Sequence, residues 1–149
     1  MFNIVINSMV KHKSQVKKPA NLAQDPLRSL ALICNDFDQW PQSWAGDDKD
    51  VVVGNVLLTE FKHYLLHLIN KGRVKTTIKK HADYLWVLGG EIIRNTNEYG
   101  VAKNLSSRDL ILKYVNDSGG PYWRHAGSDS DLKQYEAVCR QLYKFLISN

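Results

Sequence analysis

The strongest constraint on this chain is a repeated hydrophobic interval. Leu58, Phe61, Leu65 and Leu68 stand three, four and three residues apart, and Ile78, Ala82, Leu85, Gly89 and Ile92 continue the same alternation in the next segment. A third stripe, Leu132, Tyr135, Cys139, Leu142 and Leu146, ends the chain. Intervals of three and four place side chains on one face of an α-helix, whereas a half-buried strand needs alternation every second residue. The sequence therefore predicts an all-α protein whose helices bury these stripes against one another.

Local punctuation sharpens the boundaries. Asp25 followed by Pro26 has the form of a cap and first helical residue. Leu27, Leu30, Ala31, Ile33, Cys34 and Phe37 form that helix's apolar face, and Pro41 ends it. The acidic, turn-rich WPQSWAGDDKD reads as a loop. Helices are then predicted over residues 53–70, with Lys71-Gly72 as the stop, and over residues 75–95. Gly89-Gly90 costs roughly 1 kcal/mol per glycine relative to alanine, so a close crossing or a kink is expected there. In LSSRDLILKYV, Ser106 and Asp109 make a variant capping box, and Leu105 and Leu110 are placed as a hydrophobic staple. The final helix starts at Ser128 or Ser130 after the turn GGPYWRHAG, and Ile147 finishes its packing.

The chain is expected to be one helical domain over residues 25–149, preceded by a flexible basic arm at 1–24 that carries Pro19 and a short strand-like piece at residues 2–6. With 149 residues and a 44% hydrophobic fraction it can bury a real core. Its apolar clusters at residues 51–58 and 65–69 are far shorter than the roughly 18 residues of a membrane span. Basic residues follow the first apolar stretch, the reverse of a signal peptide, so a cytoplasmic protein is expected. Cys34 and Cys139 lack any CxxC or Cys/His partner spacing, which points to reduced, buried thiols.

Charge is distributed in blocks. Residues 1–20 carry Lys11, Lys13, Lys17 and Lys18 with no acid, residues 25–50 carry six aspartates against Arg28 and Lys49, and residues 60–80 carry six cations against Glu60. Such blocks create fields that attract polyanions or acidic proteins. The third block includes Arg73, Lys75, Thr76, Thr77, Lys79 and Lys80 at a predicted helix start, where free N–H groups and the positive end of the helix dipole favour phosphate. Cations there oppose the dipole and cost the helix slightly, which favours a phosphate-contact role; the alternative is a plain solvated helix end. Arg124, with Tyr122 and Trp123 beside it, and Lys133, Arg140 and Lys144 on the last helix form a second candidate group. Its alternative is hinge packing.

No GxSxG, HExxH or phosphate-binding glycine loop is present, and no catalytic residue or cofactor is assigned. His63 and His67, with Glu60 three residues earlier, have a spacing that could share a metal, but no matched ligand pair exists elsewhere in the chain and no metal is assigned.

The last four helices, in this order, resemble the N-terminal core-binding, SAM-like domain of tyrosine recombinases and phage integrases. The resemblance spans residues 56–147 and rests on LLTEFKHYLLHLINKGRVKTTIKKHADYLWVL, LSSRDLILKYV and DLKQYEAVCRQLYKFLIS. It implies a compact orthogonal bundle of about five helices, with residues 53–149 as the core-binding-like four-helix unit, and at most the DNA-clamping half of such an enzyme. No histidine begins a His-x-x-Arg, so strand transfer is not expected. The implied role is a non-catalytic module on duplex DNA. The alternative is a protein-interaction module of a mobile-element or phage-derived protein, using the acidic 36–50 region or a Trp40/Trp44 surface.

Overall fold

Three long or medium helices meet where the sequence stripes face one another. The computed structural model describes residues 21–100 and 105–148, so the arm over 1–20, with its strand-like piece, lies outside the described residues. Within them are six α-helices: α1 (Pro26–Ile33), α2 (Trp40–Trp44), α3 (Asp48–Asn70), α4 (Lys75–Tyr99), α5 (Ser107–Leu112) and α6 (Asp129–Ser148). Short 3₁₀ turns cover Leu22–Gln24 and Phe37–Gln39, and the described residues contain no strand beyond one Asn116/Gly119 bridge. The all-α bundle expected from periodicity is thus the fold.

Helices α3 and α4 form the central hairpin. Leu57, Phe61, Leu65 and Ile69 from α3 and Ile78, Ala82, Leu85, Leu88 and Ile92 from α4 are fully buried. Helix α3 stops at Asn70, and Gly72 takes the left-handed conformation (φ 85°) that lets the chain reverse into α4. Helix α6 closes the bundle with Tyr135, Val138, Cys139, Leu142 and Leu146 inward. Ile147 is 51% exposed and does not finish the packing, because it lies about 100° around the helix from Leu146.

The first forty described residues depart from the expectation in several places. Helix α1 ends at Ile33, not at Pro41, and Leu27 and Ala31 face solvent while Leu30, Ile33, Cys34 and Phe37 are buried. Pro41 lies in the first turn of α2, where a missing N–H breaks no helical bond. Part of the expected loop is therefore helical. Helix α3 starts five residues earlier than expected because Asp47 and Asp50 form a capping box: Asp47 accepts from the Asp50 amide and Asp50 accepts from the Asp47 amide. The described chain is also packed before Asp25, since Leu22 lies against the core and its carbonyl accepts from Ser29 Oγ at 2.9 Å.

The α5 cap is as expected, with Ser106 Oγ accepting from the Asp109 amide at 3.0 Å, although the helix ends at Leu112. The start of α6 is also placed by a serine, Ser128, which accepts from the Asp131 amide at 3.1 Å. The glycine pair in α4 receives a side chain rather than a helix backbone. The Trp44 indole of α2 lies over Gly89, where a Cβ would stand 2.1 Å from its Cζ2 atom. Its Nε1 donates to the Trp86 carbonyl at 3.0 Å, and its ring packs edge-on against Phe61.

Candidate functional site

The amino end of α4 combines exposed cations with free backbone donors. Val74 is the N-cap and supplies no side-chain hydrogen bond, so the first helical bond is from the Ile78 amide to the Val74 carbonyl. The amides of Lys75, Thr76 and Thr77 consequently have no intrahelical partner. Arg73, Lys75, Thr76, Lys79 and Lys80 are exposed around them, while Thr77 is half-buried. Among the described residues, Arg73, Lys75 and Lys80 have no acidic partner within ion-pair distance, whereas Lys79 Nζ sits 3.0 Å from Asp83 Oδ1.

Two histidines close to these cations are held toward their neutral form, chiefly by burial. Burial, followed by Lys71 and Arg73, lowers the pKa of His67, and burial, followed by Lys80 and Arg73, brings that of His81 down to about 4. His81 is therefore neutral over the physiological range. Its Nδ1 shares a hydrogen bond with Tyr64 Oη at 3.0 Å, which ties the first turns of α4 to α3.

The cations rim an open cleft of about 910 Å³ between α4, the α1–α2 segment and the loop before α6. Lys75, Thr76, Lys79 and Lys80 line one part of it. Trp40, Tyr84, Trp86 and Trp123 line the aromatic part, with Cys34, Asp36, Asp83 and Val87 between. The loop that brings Trp123 into place is held at several points. Tyr135 Oη donates to the Pro121 carbonyl at 2.8 Å, and the Trp123 ring packs against both Tyr84 and Tyr135. Cys34 is an inert wall atom: burial and the Asp36 carboxylate 3.4 Å away push its thiol up to about 12.

The second group of expected contacts is divided by the fold. Arg124 is engaged with acids, its Nε 3.9 Å from Glu91 Oε1 and its terminal nitrogen 3.6 Å from Glu98 Oε2. Phe145 packs on His67 and Tyr64, so the turn carrying exposed Lys144 lies beside the carboxyl half of α3. Exposed Lys133 is two residues beyond Asp131, which accepts from Tyr84 Oη at 3.3 Å, while half-buried Arg140 does not line the cleft. Tyr122 is 73% exposed.

The acidic 36–50 region is also divided. Asp36, Asp38, Asp47 and Asp48 are exposed, but Asp50 is buried in its capping role, Trp40 is buried and Trp44 is half-buried over Gly89. A surface built on Trp40 and Trp44 is accordingly replaced by core packing. His63 is exposed beside Glu60, and His67 stacks on Phe145 at 4.8 Å. Among the described residues no group of three or more His, Cys, Asp or Glu side chains is placed to hold a metal ion.

Sequence reasoning did not assign Tyr84, Trp86 or the cleft itself. The available signal was Trp86, a large aromatic falling off the 78/82/85/89/92 seam of its own helix. No family model, curated protein or solved structure matches this chain.

Proposed function

We propose that this chain is a non-catalytic helical module that holds duplex DNA by its phosphates, in the manner of a recombinase core-binding domain. The observation that carries the reading is the amino end of α4, where Arg73, Lys75 and Lys80 lack acidic partners among the described residues and flank uncapped backbone amides. Phosphate oxygens are suited to both kinds of donor. Exposed Lys144 follows the same reading as a further cation beside the carboxyl half of α3, whereas Arg124 contributes little because Glu91 and Glu98 already neutralise it. No described helix is long and apolar enough to cross a membrane, and the reading places the protein in the cytoplasm, with a mobile or phage-derived element as its source.

Electrophoretic retardation of random-sequence duplex at several salt concentrations tests it. The parent should lose affinity steeply as salt rises, and Lys75→Gln/Lys80→Gln should reduce the log–log slope by about 1.8, the value for two released counterions. Lys79→Gln should change the slope less, since Asp83 already pairs with that lysine. A parent that does not bind duplex, or a double variant that binds with the parent's slope, refutes the reading.

A further inference from the structure

The aromatic part of the cleft has no role in backbone-dominated duplex binding. Trp86 is 44% exposed, yet its ring is fixed: Nε1 donates to Ser43 Oγ at 2.9 Å, and its own carbonyl accepts from Trp44 Nε1. An exposed, oriented indole beside Tyr84 and Trp123, within a hollow of about 910 Å³, has the character of a stacking platform. Folding alone does not require it, since the buried side of α4 is already filled by Leu85, Leu88 and Ile92.

The charges around that platform limit what can stack there. The lining holds three lysines and two aspartates. Lys79 and Asp83 neutralise one another, so Lys75 and Lys80 against Asp36 leave one positive charge, to which the α4 amino end adds roughly half a charge. A phosphodiester or a single phosphate matches this balance, but a triphosphate exceeds it. Asp36 adds an acceptor for a base amino group or sugar hydroxyl. We infer that the cleft binds one nucleotide unit carrying one phosphate, its base on Trp86 and its phosphate at Lys75 and Lys80, either as a free mononucleotide or as a residue of single-stranded DNA. The inference goes beyond the duplex-binding reading: it shares two lysines with it but requires the aromatic wall.

The test titrates the full chain with dAMP, dATP, a single-stranded oligodeoxyadenylate and a blunt duplex, following tryptophan fluorescence. Saturable binding of dAMP or the oligonucleotide is expected, weakened about 5- to 150-fold in Trp86→Ala and largely restored in Trp86→Phe. Saturation by dAMP identifies a free nucleotide as sufficient ligand, and saturation by the oligonucleotide alone identifies the strand. Failure of both to saturate overturns the inference, as does dATP binding more tightly than dAMP. If Trp86→Ala melts early, Lys75→Gln/Lys80→Gln decides, and unchanged dAMP or oligonucleotide binding there overturns it. Duplex binding without any response to dAMP or the oligonucleotide removes this inference and leaves the duplex reading standing. The reverse pattern removes the duplex reading.

Discussion

Replacing Gly89 by alanine should destabilise the protein even though alanine is the better helix former. A methyl group at this position would stand 2.1 Å from Trp44 Cζ2 and 2.4 Å from Cη2, against the roughly 3.5–4.0 Å of a comfortable carbon contact. The indole would have to move by more than an ångström. Its Nε1 bond to the Trp86 carbonyl and its packing against Trp40 and Phe61 resist that movement. Helix propensity returns about 1 kcal/mol, while overpacking costs about 1–3 kcal/mol and a displaced indole N–H bond about 0.5–1.5 kcal/mol. The net expectation is a loss of about 0.5–3.5 kcal/mol, or roughly 2–4 °C of melting temperature per kcal/mol in a chain of this size. Gly90→Ala is the internal control. Its Cβ would lie 3.6 Å from Trp44 Cδ1, an ordinary contact, so that variant should gain about 0.5–1 kcal/mol. Thermal and urea melts of both variants, repeated in a Trp44→Leu background where the Gly89 penalty should vanish, measure the competition. Gly89→Ala as stable as the parent would refute the packing argument.

Further outcomes follow from other parts of the core. Leu142→Ala should cost about 2–5 kcal/mol in urea melts, because Leu142 is fully buried in the α6 seam. An unchanged midpoint would remove α6 from the core. The His81 ring should titrate near pH 4 by NMR, below its ordinary 6.5, because burial and then Lys80 and Arg73 disfavour its charged form. The unfolded chain binds that proton more readily, so the His81 contribution to stability is complete above about pH 6.5 and is lost as pH falls toward 4. A His81 titration near 6.5 would contradict its neutral, buried state.

Much of the fold was legible where a cap and a period agreed. Ser106 starts α5, Asp25 and Pro26 start α1, and all five seam positions of α4 are buried. Where a residue type has two meanings, the sequence misleads. Proline at Pro41 suits a helix stop and a first turn equally, and Asp47 with Asp50 repeats the Ser106/Asp109 spacing within a segment whose composition is that of a loop. The glycine pair signalled a close approach, but which side chain fills the space depends on Trp44, which is 45 residues away in sequence from Gly89. The candidate site divides along the same line. The cations of residues 73–80 are local and could be read directly, whereas the cleft gathers Trp40, Trp86 and Trp123 from three distant segments. The ion pairs of Arg124 are hidden from local reading because its partners, Glu91 and Glu98, lie far back in the chain on α4.

The most direct measurement of the central claim is amide chemical-shift mapping of the intact protein during titration with a random-sequence DNA duplex at low salt. The account predicts that the amides of Lys75, Thr76 and Thr77 shift first and most, because their N–H groups at the uncapped end of α4 face the incoming phosphates. Shifts should shrink together as salt is raised. Perturbation confined to other surfaces, or no perturbation at any salt, would contradict it.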